Sequence, residues 1–451
     1  MFSGQNIITI KANANKYSEL IIHPGKAAEI NLGRKKCAFI SFGSQKHYVN
    51  ISMNNEISPE NVLLSPELIE ELHLPDYPIY ELCINKNEII VGPYIGLLFS
   101  EQDKKLTASR LRKLMVYIKK YSELHGAVVV FALDKVDMTN RLIEGYCYNP
   151  VKNLWQRGIF PYPSSIFRSI GLDDQWKNHF LSVIGDKVFN NHYFGKWEMY
   201  QWFSKDSEIN PRLPYTVLYE SPQDVLDLLE RFKKIYIKPV SGLKGRGVVQ
   251  ASTEYKTVVF KYRDQGVNCQ AAFENPSEVC EYIQKRFSDR RYLIQQAIDL
   301  IEYNGGIIDF RCILQKNQAN RWVCNALVAR KGDKGSIVSN TSNGGTAFPA
   351  GAILEAVVSS AEEDIMHWKE KLECLAINAC KTLDEYGIHC GTLGLDIGID
   401  KQGQLWLIEI NNRDPNPTIA LSIGDKQLHL TVKTSPLFYA KSLAGFTDNE
   451  I

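Results

Sequence analysis

The chain has 451 residues, enough for about three domains and a large hydrophobic core. Its 52 Lys plus Arg against 51 Asp plus Glu leave a formal net charge of +1, so nothing global favours nucleic acid or an anionic membrane as a partner. Ten cysteines without a Cys-x-x-Cys pair argue against structural zinc and fit a reducing, cytoplasmic compartment; Cys312, Cys324, Cys374 and Cys380 lie in apolar patterns that predict buried thiols. The N-terminus lacks a charged segment followed by an apolar run, so no signal peptide is expected. The longest apolar run, Ala127 to Leu133, is too short to cross a bilayer.

Residues 1–94 alternate like short strands (Ile7–Ile10, Glu19–Ile22, Ala28–Leu32, Cys37–Phe42, Tyr48–Ser52), with one helix-like break at Pro59–Leu74 opened by Ser65-Pro-Glu. This predicts a β-rich module, a small barrel, for docking or homo-oligomerisation. Residues 95–170 read as a small α/β domain. The span Leu106–Leu124 has helical periodicity and feeds strands at Ala127–Leu133 and Leu142–Tyr148. The stretch from Trp155 to Ser165 is rich in proline and aromatics and reads as a connector.

Residues 171–451 alternate helices and strands. Helices are expected at Asn178–Phe189, Lys196–Phe203, Pro222–Phe232, Pro276–Phe287 and Ala361–Leu383. Strands are expected at Ile235–Pro239, Val248–Ala251, Tyr292–Gln296, Phe310–Leu314 and Trp322–Val328. Phe260–Cys269 and Ser336–Phe348 read as polar loops.

Several segments carry chemistry. Lys238 ends a strand and precedes Ser241-Gly-Leu-Lys-Gly245-Arg-Gly247, where three glycines let backbone N–H groups approach an anion. A glycine-rich hairpin turn is the plain alternative. The spacing is neither that of a P-loop nor that of a Rossmann loop. Tyr292–Ile298 can present its backbone to an adenine edge, and Asp299 or Glu302 an acid to ribose; an ordinary core strand ending in a polar loop fits equally well. Arg311 and Arg330 suit phosphoryl or carboxylate oxygens, or surface ion pairs. Asn340 lies in a donor-rich turn.

The runs Gly394–Asp400 and Leu405–Asn411, joined by Lys-Gln-Gly-Gln, predict a β-hairpin. Strand alternation places Glu409 and Asn411 on one face, Ile410 on the other, and Asp396 across from them. Two carboxylates and an amide on so apolar a hairpin suit Mg²⁺ carrying a nucleotide phosphate. A solvated hairpin edge is the alternative.

Taken in order, these parts resemble the ATP-grasp superfamily over about 170–430. More narrowly they resemble the YheC/YheD endospore coat-associated family, in the phrases Pro161-Tyr-Pro, Lys238-Pro-x-x-Gly, Asp309-Phe-Arg, Gly394-Leu-Asp-Ile-Gly-Ile-Asp400 and Trp406-Leu-Ile-Glu-Ile-Asn411. The resemblance implies a multidomain α+β and α/β protein. It would comprise an ATP-grasp fold (a nucleotide lobe at 171–300 and a metal lobe at 301–451), a pre-ATP-grasp domain at 95–170, and the β-rich N-terminal module.

The resemblance also implies residue roles. Lys196 and Lys238 are the nucleotide lysines, with Ser241, Gly245 and Gly247 at the phosphates. Gln295, Gln296 and Ile298 form the adenine hinge, and Asp299 or Glu302 reaches the ribose. Asn340 reaches phosphate, Arg311 and Arg330 are catalytic, and Asp396, Glu409 and Asn411 hold Mg²⁺. The generic superfamily has an acid in the hinge where this chain has Gln295-Gln296. The implied activity is an ATP-dependent carboxylate–amine ligase working through an acylphosphate on an amino-acid or peptide-like substrate, linked to spore formation and spore-coat partners. Phosphoryl transfer to a hydroxyl, or ATP binding without turnover in a coat protein, are the alternatives.

Overall fold

A computed structural model of the chain describes residues 7–13, 18–33, 35–242, 247–264, 267–337, 345–357, 364–413, 415 and 418–447. Four sheets succeed one another along the sequence. Seven strands close the first into a barrel: β1 (Ile7–Ala12), β2 (Glu19–Ile22), β3 (Cys37–Phe42), β4 (Gln45–Met53), β5 (Asn61–Leu64), β6 (Ile79–Asn85) and β7 (Glu88–Gly92). Their order is β1-β5-β2-β4-β3-β7-β6, and β6 closes on β1. Period-2 patterning is the cause: Ile8 and Ile10 of β1 point into the core while Ile7 and Thr9 do not. Two short helices interrupt the strands, α1 (Pro24–Glu29) and α2 (Pro66–Glu71). Residues 28–32, expected as a strand, instead end α1 and its exit turn. Pro24 opens that helix and the His23 ring accepts from the Gly25 N–H, a start signal that outweighs a five-residue apolar run.

The second sheet holds β8 (Tyr94–Ser100), β9 (Ala127–Asp137), β10 (Leu142–Asn149), β11 (Leu154–Pro161), β12 (Ser165–Arg168) and β13 (Val188–Phe189), in the order β11-β10-β9-β8-β12-β13. The expected connector after Trp155 is therefore an edge strand, paired with β10 along its whole length; Pro161 is tolerated because it is the last residue of a strand with a neighbour on one side only. The expected helix at 106–124 is two pieces, α3 (Ala108–Leu114) and α4 (Tyr121–Leu124). The intervening Val116-Tyr-Ile118 is β-branched and aromatic, which weakens a helix there. Helix α5 (Asp174–Ile184) begins earlier than the periodicity predicts, because the Asp173 side chain caps it at the Trp176 N–H.

After α6 (Lys196–Phe203), the third sheet runs β14-β19-β15-β16-β17-β18, formed by β14 (Thr216–Leu218), β15 (Lys234–Pro239), β16 (Val249–Glu254), β17 (Thr257–Asp264), β18 (Val267–Phe273) and β19 (Tyr292–Gln296). Helices α7 (Pro222–Phe232) and α8 (Pro276–Arg286) cover it, burying Val225, Leu229, Val279 and Ile283 against Ile235, Ile237 and Ile294. Residues 260–269, expected as a polar loop, belong mostly to β17 and β18, the outer strands, where one face stays wet and polar composition is compatible with pairing.

The fourth sheet contains β20 (Glu302–Tyr303), β21 (Gly306–Lys316), β22 (Trp322–Lys331), β23 (Thr346–Pro349), β24 (Thr392–Ile399) and β25 (Leu405–Asn411), ordered β23-β22-β21-β24-β25 with β20 on β21. Helices α9 (Ala350–Val357) and α10 (Ile365–Glu385) lie on one face. Leu372, Leu375, Ala376, Ala379 and Leu383 of α10 recur at helical spacing and bury against Leu393, Leu395 and Ile397. Of the thiols expected inside, Cys312 and Cys380 are buried, Cys324 is half-buried and Cys374 is exposed, because it lies on the outer side of α10.

Of the last helices, α11 (Ile419–Ser422) lies against β22 and β23 of the fourth sheet, while α12 (Lys426–Leu443) returns to the second sheet, where Leu437, Tyr439 and Ala440 join its core. Lys441 is wholly buried and its Nζ lies 2.6 Å from Glu81 Oε1 of β6. His125 Nδ1 is 3.2 Å from the same oxygen. A charge taken out of water is tolerable only with such partners. Among the described residues no helix is long and apolar enough to cross a membrane. Replacing Lys441 by Met, which keeps the bulk and removes the charge, should cost about 3–5 kcal/mol of unfolding free energy in urea titrations, as for other broken buried pairs.

Candidate functional site

The third and fourth sheets face each other across a cleft, and one face of β24 forms its charged wall. Along Gly394-Leu-Asp396-Ile-Gly398, Leu395 and Ile397 point into the core while Asp396 points to the cleft, with a glycine two residues to either side. Gly394 is required because its neighbour is backbone, whereas a side chain at Gly398 would have to displace the flexible end of Leu300. A Cβ on Gly394 would meet the Pro415 backbone at 2.9 Å, and one on Gly398 would meet Leu300 at 2.4 Å.

Register supplies the rest of the wall. Asp309 of β21 faces Arg330 of β22, Arg311 of β21 faces Asp396, and Asp396 faces Glu409 of β25. A bulge between Asp396 and Ile397 brings Ile408 as well as Glu409 to the cleft, leaving Leu407 and Ile410 in the core. The expected hairpin is thus present with the expected facing of its polar residues.

The side chains join into one buried network. Arg311 Nε and Nη2 both donate to the Asp396 carboxylate, the second at 3.0 Å. Arg330 Nη2 lies 2.9 Å from Asp396 Oδ2, and Arg330 Nε donates to Asp309 Oδ1 at 2.7 Å. All four residues are 3–5% exposed. Burial alone would raise the Asp396 pKa, but Arg311 and Arg330 outweigh it and hold the carboxyl below its ordinary range. Burial likewise opposes the charge on Arg330, yet Asp309 and Asp396 raise its pKa further, so both partners stay ionised.

Glu409 Oε1 is 3.2 Å from Lys196 Nζ, which also donates to the Gly242 carbonyl at 3.3 Å. Lys196 begins α6, whose N-terminus is held by Glu198 Oε2 accepting from the Gly195 N–H at 2.8 Å. On the opposite side Lys238 Nζ donates to Gln295 Oε1 at 2.5 Å, and Gln295 Nε2 donates to Thr216. Lys238 keeps some solvent contact, but dense protein around it strips water and lowers its pKa to about 8. Lys196 pushes the same way, while Glu409 and Asp396 oppose. Beyond the charges the cleft is apolar, with Ile298, Leu300, Ile307, Ile337 and Ile408.

Of the residues expected from sequence, the cleft gathers Lys196, Lys238, Gln295, Gln296, Ile298, Arg330, Asp396 and Glu409. Arg311 is not on its lining: its guanidinium is engaged with Asp396 and with the Pro415 carbonyl at 3.1 Å, so it backs the wall. Asn411 stands behind too, its Nδ2 3.4 Å from Asp396 Oδ2. Asp299 is directed away and pairs with Lys401 at 3.2 Å, which also takes Glu302 at 3.7 Å. Ser241 and Gly247 flank the lining residues Gly242 and Val248 without belonging to it. Gly245 and Asn340 lie outside the described residues.

Sequence reasoning missed two contributors. Asp309 was visible only as part of Asp-Phe-Arg, and its role emerges from pairing with a strand 21 residues away. Tyr236 lines the cleft and is fixed by Gln250 Nε2 donating to its hydroxyl at 3.0 Å. Among the described residues no three His, Cys, Asp or Glu side chains converge as a metal cluster; the set at the hairpin consists of two carboxylates and an amide.

A family model described as YheC/D like ATP-grasp matches residues 185–443. The chain is 27% identical over 392 residues to endospore coat-associated protein YheD of Bacillus subtilis (strain 168), covering 83% of each chain. It is 24% identical over 224 residues to YheC of the same organism, covering 50% of this chain and 61% of that one. Among solved structures, the VanG D-Ala:D-Ser ligase from Enterococcus faecalis overlaps 78% of this chain and 99% of its own at a TM-score of 0.42 and 11% identity. The D-alanyl-alanine synthetase A from Vibrio cholerae overlaps 77% and 99% at 0.41 and 10%. Overlaps this loose identify no shared chemistry.

The environment of Lys238 has a direct readout. Competitive acetylation over a pH series should find one lysine titrating near pH 8, about two units below ordinary lysines, and Lys238→Arg should remove it. The sign for stability follows. The folded value lies below the unfolded one, so between pH 8 and the ordinary lysine range the unfolded chain binds more protons, and this group makes folding more favourable as pH rises.

Proposed function

Because the chain belongs to the YheC/D-like ATP-grasp family, whose model spans more than half of it, we propose that it is an ATP- and Mg²⁺-dependent ligase joining a carboxylate to an amine. One observation carries this reading. Four cations (Lys196, Lys238, Arg311, Arg330) and three carboxylates (Asp309, Asp396, Glu409) converge beside an apolar slot of the kind a purine occupies. In this reading Lys238 and Lys196 bind nucleotide phosphates, and Ile298, Leu300 and Ile408 enclose the base. The Ile298 N–H, which has no backbone acceptor among the described residues, meets the adenine edge. Gln295 positions Lys238, and Arg311 positions Asp396.

The donor chemistry fits a small hard cation. Glu409 Oε2 and Asn411 Oδ1 take no hydrogen bond among the described residues, and Asp396 is shared with arginines. Asp396, Glu409 and Asn411 would hold Mg²⁺, which when bound supplies charge neutralisation at phosphate oxygens. The protein's own groups do the rest. Arg330, kept charged by two carboxylates, faces the transferring phosphoryl group as a substrate carboxylate oxygen bonds to the γ-phosphorus and the bond to the β-bridging oxygen breaks. The amine then attacks the acyl carbon, inorganic phosphate leaves, and the amine proton passes to solvent. The substrate class is an amino acid or peptide. The relatives' names support a place in spore formation with coat partners, the barrel being the docking module.

A second reading, ATP binding without turnover, is favoured by the saturation of Asp396 by two guanidinium groups. Three measurements separate the possibilities. ADP release with pooled amino acids and short peptides, together with amide product and free phosphate, supports the ligase. A phosphorylated alcohol supports phosphoryl transfer, and nucleotide binding without ADP supports the switch. For the ligase, Glu409→Gln should lower turnover at least about 100-fold while the melting temperature stays close to the parent's, since Glu409 is part-exposed. Because each carboxylate of the cleft already has a cationic partner, Mg²⁺ alone should not raise the melting temperature, whereas Mg²⁺ with ATP should. Chelation should return it to the value with ATP alone.

A further inference from the structure

Among the described residues, the buried cations Lys26, Arg311, Lys316, Arg330 and Lys441 each pair with a carboxylate. Arg168 does not. It is 1% exposed, and no acidic side chain among the described residues faces its guanidinium. Nη1 donates to the Ile170 carbonyl, Nε is buried without a partner, and Nη2 makes no hydrogen bond among the described residues. Burial pushes its pKa down with no carboxylate to oppose the shift. A buried charge with unmet donors marks a place for a counter-charge from outside the chain.

The unused edge indicates which anion fits. Nε and Nη2 lie side by side on one edge of a guanidinium, the same edge by which Arg311 takes both oxygens of Asp396. That edge alone matches a planar carboxylate, whereas a phosphate brings further oxygens that need donors of their own.

The fold puts this group where a ligand is expected. Arg168 ends β12, which lies between β8 and β13 and runs parallel to both. The chain leaves β8 to build β9 on one side and returns to build β12 on the other. In open parallel sheets such a reversal opens a crevice at the carboxyl ends of the strands, where ligands sit. The Arg168 guanidinium lies over the Tyr193 ring at 4.4 Å, and that of Arg413 over the same ring at 5.7 Å. Tyr193 is half-buried and Arg413 exposed, so an anion arriving from solvent meets one cation before the other. Both segments adjoin the cleft. Tyr193 precedes Lys196 by three residues, Arg413 follows Asn411 by two, and Asn412 Nδ2 ties them by donating to the Phe194 carbonyl at 3.4 Å.

We propose that Arg168 and Arg413 form a carboxylate-binding subsite beside the cleft, which recognises a free carboxylate of the substrate other than the one that is activated. The substrate class is then an acidic amino acid or a peptide with a free terminal carboxylate. The anion chemistry stands on the geometry, and its assignment to the substrate rests on the ligase reading.

Calorimetric titration of the full chain without nucleotide, at constant ionic strength, tests the subsite. The probes are N-acetyl-L-alanine as the carboxylate, N-acetyl-L-alanine amide as its neutral counterpart, and inorganic phosphate as the competing oxyanion. Saturable binding of the acid is expected, with little of the amide and weaker binding of phosphate. Arg413→Gln, at an exposed position, should fold normally, bind the acid at least about tenfold more weakly, and bind ATP as the parent does. Arg168→Met should abolish acid binding and melt no lower than the parent, since it removes a buried charge that has no partner. An arginine that only supports the fold would instead lower the melting temperature when replaced. Absence of acid binding, equal binding of acid and amide, or preference for phosphate would each overturn the proposal. So would unchanged acid binding in Arg413→Gln, or a clearly lower melting temperature in Arg168→Met. Because nucleotide is absent, none of these results bears on ligation. A chain that binds the acid but releases no ADP would lose the ligase reading and keep the subsite.

Discussion

The structure depends on the ionised carboxylate of Asp396 being held inside a sheet by two guanidinium groups. Three adjacent strands are committed to it. Arg311 comes from the neighbouring strand at a directly opposed position, and Arg330 reaches across from the strand beyond. Buried charges of this kind add little net stability compared with apolar residues of the same size, because desolvation cancels most of the attraction. Their effect is on specificity. A slip of one residue in any of the three strands would point Asp396, Arg311 or Arg330 into the core under α10. The register that builds the cleft is thereby enforced by what it would cost to miss it.

The same strand shows how sequence pattern becomes a site. On its core side β24 is continuous Leu and Ile, and on its cleft side Gly-Asp-Gly. The bare positions admit the Pro415 backbone on one side of the acid and Leu300 on the other, so loops from two directions close down on a carboxylate that a bulkier neighbour would have fenced off. Pro415 also accepts from Arg311, which links the loop to the network it covers. Apolar slot and charged wall are therefore not independent features, since Gly398 and the bulge at Ile408 place the first against the second.

Much of this was legible in the sequence, for identifiable reasons. The hairpin of β24 and β25 follows from alternation, and α6 and α7 from sharp starts at Gly195 and at Ser221-Pro222. Outlying strands were harder: β11 and β18 at sheet edges, and β17 beside β18, carry the proline or polar content of loops because one face of each meets solvent. The site divides similarly. Residue types and facing were visible, whereas ionic pairing was not, since Arg311 meets Asp396 across 85 positions. No local pattern could say that Arg311 stands behind the acid and Asp299 turns away to Lys401. Helix α12 escaped notice because Pro436 interrupts its pattern and its apolar residues are divided between two sheets.

That last helix has a consequence for how the molecule is made. Glu81 belongs to the first sheet to leave the ribosome, but Lys441 is translated 360 residues later. At roughly 5–20 residues per second, the barrel waits about 20–70 s with an acid prepared for a cation that does not yet exist. Until the tail arrives, that carboxylate must stay hydrated or rely on His125, so the barrel's final packing belongs to the end of synthesis, although its strands come first.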